Sequence, residues 1–168
     1  VGDGNNVCAS LIHAAALSGM SFVAVTPTTH QPYAEAAEDF EALAVSSSAS
    51  YRYTDSLDGL EGADAVYTDT WVSMGQEEEA KERLRNLQDY QITFELMAST
   101  GKESYFMHCL PAHRNQEVTD AVIDSAQSLV YEQAENRLHV QKTLLLTLLA
   151  PGDLTRYLQL EKFAAFNS

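Results

Sequence analysis

Short apolar runs rich in β-branched residues alternate along this chain with longer stretches whose apolar positions recur at helical spacing. A turn at residues 2–6 leads into a helical pattern over 7–17, closed by Gly19. Residues 21–26 (SFVAVT) read as a buried strand stopped by Pro27, and Pro32 opens a helix that runs through 34–45. A Ser-rich loop at 46–50 precedes a short strand at 51–53, a short helix at 56–61 with Gly62 past its end, and a strand at 65–68 (AVYT). Beyond these the pattern predicts a loop at 71–77, a charged helix through Leu87 and a helix at 93–99. A strand at 105–109 (YFMHC), a short helix at 118–124, a strand at 128–131 and a closing helix at 134–149 complete the set.

Strands separated by helices require crossover connections, which favour a parallel sheet covered on both faces. The expected fold class is therefore α/β, a three-layer αβα Rossmann-like domain with a mainly parallel sheet of about five strands. Ligands in such sheets sit beyond the carboxyl ends of the strands. That directs attention to four loops: 2–6, 69–75, 109–114 and 132–137.

Composition narrows the function classes. The chain has 168 residues, 24 acidic against 10 basic, for a formal charge of −14. Residues 1–80 hold 13 acids and a single base, Arg52. A field of that sign repels phosphate backbones and argues against nucleic-acid or anionic-membrane binding. The longest apolar run, 144–150, is far below a membrane span. Cys8 and Cys109 are too few for a disulfide framework, so a reducing compartment is expected, the cytoplasm or, for a eukaryotic precursor, the mitochondrial matrix. The chain opens at Val1, in Val-Gly-Asp-Gly, as though a strand were already under way.

Each loop has a chemical and a structural interpretation. Gly2-Asp3-Gly4-Asn5-Asn6 resembles a pyrophosphate turn, but Val7 replaces the third glycine and the second strand ends in Val25-Thr26 without a ribose-binding acid, which excludes a nicotinamide cofactor. Asn6 either caps the following helix or offers its amide to a ligand carboxylate. Asp69, with Ser73, Met74 and Gly75 behind it, either pairs with a ligand ammonium or forms a local turn over Trp71. Cys109 is either a proton-handling thiol tuned by His108 or an inert core cysteine. Arg137, near the start of the closing helix, either shares an anion with the helix dipole or pairs with Glu135. Leu138, Leu144, Leu145 and Leu148 read as the core-facing positions of that helix. Glu77-Glu78-Glu79 fits the acidic first turn of a helix better than a metal site, and no close His/Cys pairing suggests zinc.

In combination, VGDGNNV (1–7), TDTWVSMGQEEE (68–79), FMHCLPAHR (106–114), EVTD (117–120) and QAENRLHVQK (133–142) resemble the carboxyl-terminal, amino-acid-binding half of the ornithine carbamoyltransferases. The likeness covers residues 1–150, expected to be one amino-acid-binding domain, with 151–168 a tail that carries no signature. It implies transfer of the carbamoyl group of carbamoyl phosphate to L-ornithine, giving citrulline and phosphate, with no metal or organic cofactor. Carried over by position, Asn6, Asp69, Ser73 and Met74 hold ornithine, Cys109 is the active-site cysteine, and Cys109, Leu110 and Arg137 contribute to the carbamoyl phosphate site. The family's Ser-Thr-Arg-Thr-Arg and His-Pro-x-Gln segments, which belong to an amino-terminal carbamoyl-phosphate domain, do not occur here. The chain alone is therefore expected to bind ornithine weakly, if at all, and to turn over negligibly. The resemblance also implies a homotrimeric full-length parent. A domain for another amine, such as putrescine or acetylornithine, and a non-catalytic amino-acid-binding module are the competing expectations.

Overall fold

The computed structural model describes residues 1–46, 48–72, 77–150 and 152–153. Its contacts divide the chain into two units, residues 1–130 and 131–168. Helix α1 (Asn6–Ser18) starts on Asn5, whose extended backbone lets its side-chain oxygen accept from the Val7 and Cys8 N–H groups. It ends at Gly19, in the left-handed region at φ 72°. The cap is thus Asn5, not Asn6. Strand β1 (Ser21–Val25) follows, then α2 (Ala34–Leu43), β2 (Ser50–Thr54) and β3 (Ala65–Thr68). Helices α3 (Ala80–Leu87) and α4 (Phe94–Ala98) precede β4 (Tyr105–His108), and α5 (Asp120–Ile123) and α6 (Val130–Leu149) close the chain. Short 3₁₀ turns stand where sequence patterning suggested a helix at 56–61 and at the end of α2.

β1 pairs with β2 and β3 with β4, both parallel, as two two-stranded sheets. Val1 and Gly2 connect them. The Gly2 N–H donates to Val25 O at 3.0 Å, and Val1 N donates to Tyr67 O at 2.7 Å. Ser128 bridges Phe106 on the outer side of β4. In space the order is β2, β1, residues 1–2, β3, β4, residue 128. Numbered along the chain, this is the doubly wound order 3-2-1-4-5-6 of Rossmann-like domains, which reverses between the first and fourth segments. The expected strand at 128–131 is reduced to that one bridge, because α6 begins at Val130 and its backbone bonds turn inward along the helix.

Alternation along β1 distributes the core to both faces. Phe22 faces α1 and α2 with Tyr51, against Ile12, Ala15, Ala16, Ala36 and Phe40. Val23 and Val25 face the other way, toward Leu60, Val66, Ile92, Phe106, Val118 and Val130. Close backbone approach fixes the first loop. A Cβ on Gly4 would stand 2.3 Å from Pro32 N and 2.6 Å from His30 O, while the Gly4 N–H itself donates to His30 O at 2.9 Å. Gly4→Ala must displace backbone and is expected to cost about 2–3 kcal/mol, read from the urea midpoint.

Along α6 in the second unit Leu138, Leu144, Leu145 and Leu148 are exposed, so the expected core-facing stripe is not realised among the described residues. Arg137 lies two turns inside α6, exposed, because the helix starts at Val130 and not at residue 134. The dipole's attraction for anions is confined to the first turn, so it does not reach Arg137.

Candidate functional site

The loops leaving residues 1–2, β3 and β4 emerge together at the carboxyl edge of the sheet, at the point where strand order reverses. Their side chains meet on one carboxylate. Asp69 Oδ2 accepts from Asn5 Nδ2 at 2.7 Å, and Oδ1 accepts from the Thr70 N–H at 2.7 Å and from the Cys109 thiol at 2.8 Å. Asn5 therefore uses its oxygen on the helix and its nitrogen on Asp69. Asn6, one residue on, is exposed at the first position of α1, with its side chain not spent on the cap.

Burial and the neighbouring Asp69 push the Cys109 thiol up to about 11, partly countered by a hydrogen bond involving Tyr67. The side chain is a protonated donor at neutral pH, and the acceptor of the pair is the carboxylate. His108 is engaged on the side of Leu110 and Glu117. Its Nδ1 accepts from the Leu110 N–H at 2.8 Å, which places the ring proton on Nε2, 3.3 Å from Glu117 Oε1. Both His108 and Glu117 are fully buried. This contact supports Leu110, whose φ of 56° is unusual for a branched residue and turns the chain sharply after Cys109.

Arg83 clamps the other flank. Its Nε donates to Trp71 O at 2.7 Å, and its guanidinium pairs with Asp3. The two side chains are 11% and 8% exposed. Burial raises the Asp3 carboxyl above its ordinary range, with Arg83 pulling it back. One cation thus joins the loop after Gly2 to the loop after β3. Arg83→Met leaves Asp3 buried without its partner and is expected to cost about 3–5 kcal/mol in urea unfolding, with the added change Asp3→Leu restoring much of it.

A family model described as aspartate/ornithine carbamoyltransferase, Asp/Orn binding domain, matches residues 1–148. The chain belongs to the aspartate/ornithine carbamoyltransferase family. The ornithine carbamoyltransferase of Methanospirillum hungatei is 50% identical over 151 residues, 89% of this chain and 49% of the relative. That of Archaeoglobus fulgidus is 47% identical over 150 residues, again 89% of this chain and 48% of the relative. The solved ornithine carbamoyltransferase of Pyrococcus furiosus superposes with a TM-score of 0.80 at 44% identity, covering 86% of this chain and 47% of that one. The chain spans about half the length of the curated relatives it matches.

Within this carbamoyltransferase-family domain the structure brings together Asn5, Asp69 and Cys109, with Asn6 and Leu110 adjacent in the chain. Ser73 and Met74 lie outside the described residues. Arg137 is an exposed residue of the second unit. Sequence reasoning missed Asn5, Thr70, Arg83 and His113 as parts of the edge, and Asn5 alone had a local signal, as the first of two adjacent cap-competent residues. A separate hollow of about 630 Å³, lined by Asp58, Glu61, Asp89 and Glu95, touches none of the site residues.

Proposed function

We propose that this chain is the ornithine-binding half of an ornithine carbamoyltransferase. The observation that carries the proposal is the Asp69 carboxylate at the strand-order reversal, held by Asn5 and Thr70 and facing a protonated Cys109 thiol. Asp69 supplies a negative charge for the amino-acid ammonium, and Asn6, exposed and next in the chain to the Asn5 that holds Asp69, offers its side-chain amide to the carboxylate. Ser73 and Met74 are assigned to the same pocket on the SMG motif alone. Cys109 and Leu110 are assigned to the reacting end and to carbamoyl phosphate, with Arg137 a phosphate partner by motif only.

In this reading the neutral side-chain amine of ornithine attacks the carbamoyl carbon. A C–N bond forms, the C–O bond to phosphate breaks, phosphate leaves, and the amine proton passes to an acceptor. The thiol serves as a donor at the edge of this site, since its raised affinity for the proton disfavours thiolate chemistry at neutral pH. Service in arginine synthesis or the urea cycle, in the cytoplasm or matrix and within a trimer, belongs to the same proposal.

The test is a substrate panel with radiolabelled carbamoyl phosphate and the full-length gene product. Ornithine is expected to exceed aspartate, putrescine and acetylornithine in kcat/KM by at least about 100-fold, well within the roughly 10⁴- to 10⁵-fold by which a site built to hydrogen-bond a polar group rejects analogues lacking it. Preference for any of the other three overturns the assignment.

A further inference from the structure

The ladder between β3 and β4 ends at the Thr68 and His108 pair. Past that point side chains continue the pairing for two more steps. Cys109 donates to Asp69 at 2.8 Å, and His113 Nδ1 shares a hydrogen bond with Thr70 Oγ1 at 2.9 Å. Thr70 returns the link to the site, because its N–H donates to the same Asp69 oxygen that accepts from the thiol. His113 is in turn anchored from below: its N–H donates to Glu117 Oε1 at 2.5 Å, and that carboxylate is fully buried against His108. Of the charged groups in contact with the imidazole, Glu117 Oε1 lies 3.8 Å from Nδ1.

We infer that His113 is a positioning residue, which with Thr70 braces the loop after β3 against the loop after β4 and so keeps Asp69 seated on the Cys109 thiol. Asp69, Thr70, His113 and Cys109 form a closed circuit: three hydrogen bonds and the short chain segment 109–113. Among the described residues no backbone bond joins the two loops beyond Thr68 and His108, so these side-chain bonds help set their separation. The brace sits at the rim, where the His113 side chain is 48% exposed, so its loss loosens the loop without opening the core. The energy of one half-exposed hydrogen bond is small, and its effect is read through the geometry it holds. For its catalytic consequence the inference rests on the proposed function; for its geometry it does not.

The experiment follows alkylation of Cys109 by iodoacetamide across pH in the 168-residue chain, with peptide mass spectrometry separating Cys109 from Cys8. Reaction requires the thiolate, so the midpoint reports how closely Asp69 is held to the sulfur. His113→Ala and Thr70→Val are each expected to lower the midpoint toward the ordinary thiol range, raising the rate at pH 8 about 3- to 10-fold. The double variant is expected to do no more than either single change. His113→Asn, which places a hydrogen-bonding atom near the position of Nδ1 without an ionisable ring, is expected to stay within about twofold of the unchanged chain. An unmoved midpoint in His113→Ala, a shift equally present in His113→Asn, or additive singles would each overturn the brace. If the full-length product makes no citrulline, the proposed function fails and the alkylation result still decides the brace.

Discussion

Asp69→Asn is expected to lower kcat/KM for ornithine in the full-length gene product by about 10²- to 10⁴-fold, the range for losing a charged partner or proton-handling group at a reacting site. The amide is nearly isosteric, so the loss reports charge and hydrogen-bond direction and not volume. Each oxygen of Asp69 already accepts from a protein donor, Oδ2 from Asn5 and Oδ1 from Thr70 and Cys109. Replacing either oxygen by NH₂ sets donor against donor, at Asn5 in one orientation and at Thr70 and Cys109 in the other. The same change removes the negative charge that helps hold the Cys109 proton. The alkylation midpoint of Cys109 is therefore expected to fall from about 11, where burial and Asp69 together place it. A midpoint that moves down while the protein stays folded confirms that activity was lost through the site. Asp69→Asn with kinetics within threefold of the parent removes Asp69 from the proposed role.

Cys109→Ala is expected to lower kcat by about 100-fold, and Cys109→Ser to retain substantially more. The contrast follows from protonation. A thiol whose proton is held up to about 11 acts as a donor to Asp69 at neutral pH, and a serine hydroxyl is also a donor. Alanine removes the donor and leaves Asp69 Oδ1 with the Thr70 N–H alone. A site that relied on thiolate would instead treat Ser and Ala alike, because serine does not ionise in this range. Equal loss in both variants would assign Cys109 to thiolate chemistry. Unchanged kinetics in both would return it to the role of a half-buried packing residue.

Much of this architecture was legible in local patterns. The strands at 21–26, 65–68 and 105–109 are β-branched or aromatic runs between clear stop residues, and each appears as β1, β3 or β4. The segment 128–131 misled because a short apolar run such as Leu129-Val130-Tyr131 buries equally well in a strand or a helix. Val130 packs in the core as the first residue of α6, which also moves Arg137 away from the helix start. Asn5 and Asn6 are both competent caps, and only the extended backbone at Asn5, φ −74° and ψ −170°, separates them. Asp69 and Cys109 were legible as strand-end residues; their direct contact follows from the parallel register of β3 and β4, which alternation cannot specify. Arg83 with Asp3, and Thr70 with His113, are 80 and 43 residues apart in sequence. No local signal encodes such pairs, because each depends on which loops the sheet order brings side by side.

Hydrogen exchange on the full-length gene product, with and without L-ornithine in the presence of carbamoyl phosphate, tests the location of the amino-acid site most directly. Protection is expected in peptides covering residues 2–8, 68–72 and 106–113, the three loops that converge on Asp69, and its loss is expected in Asp69→Asn. Protection confined to the acidic hollow lined by Asp58, Glu61, Asp89 and Glu95, with the three loops unchanged at saturating ornithine, would contradict the account.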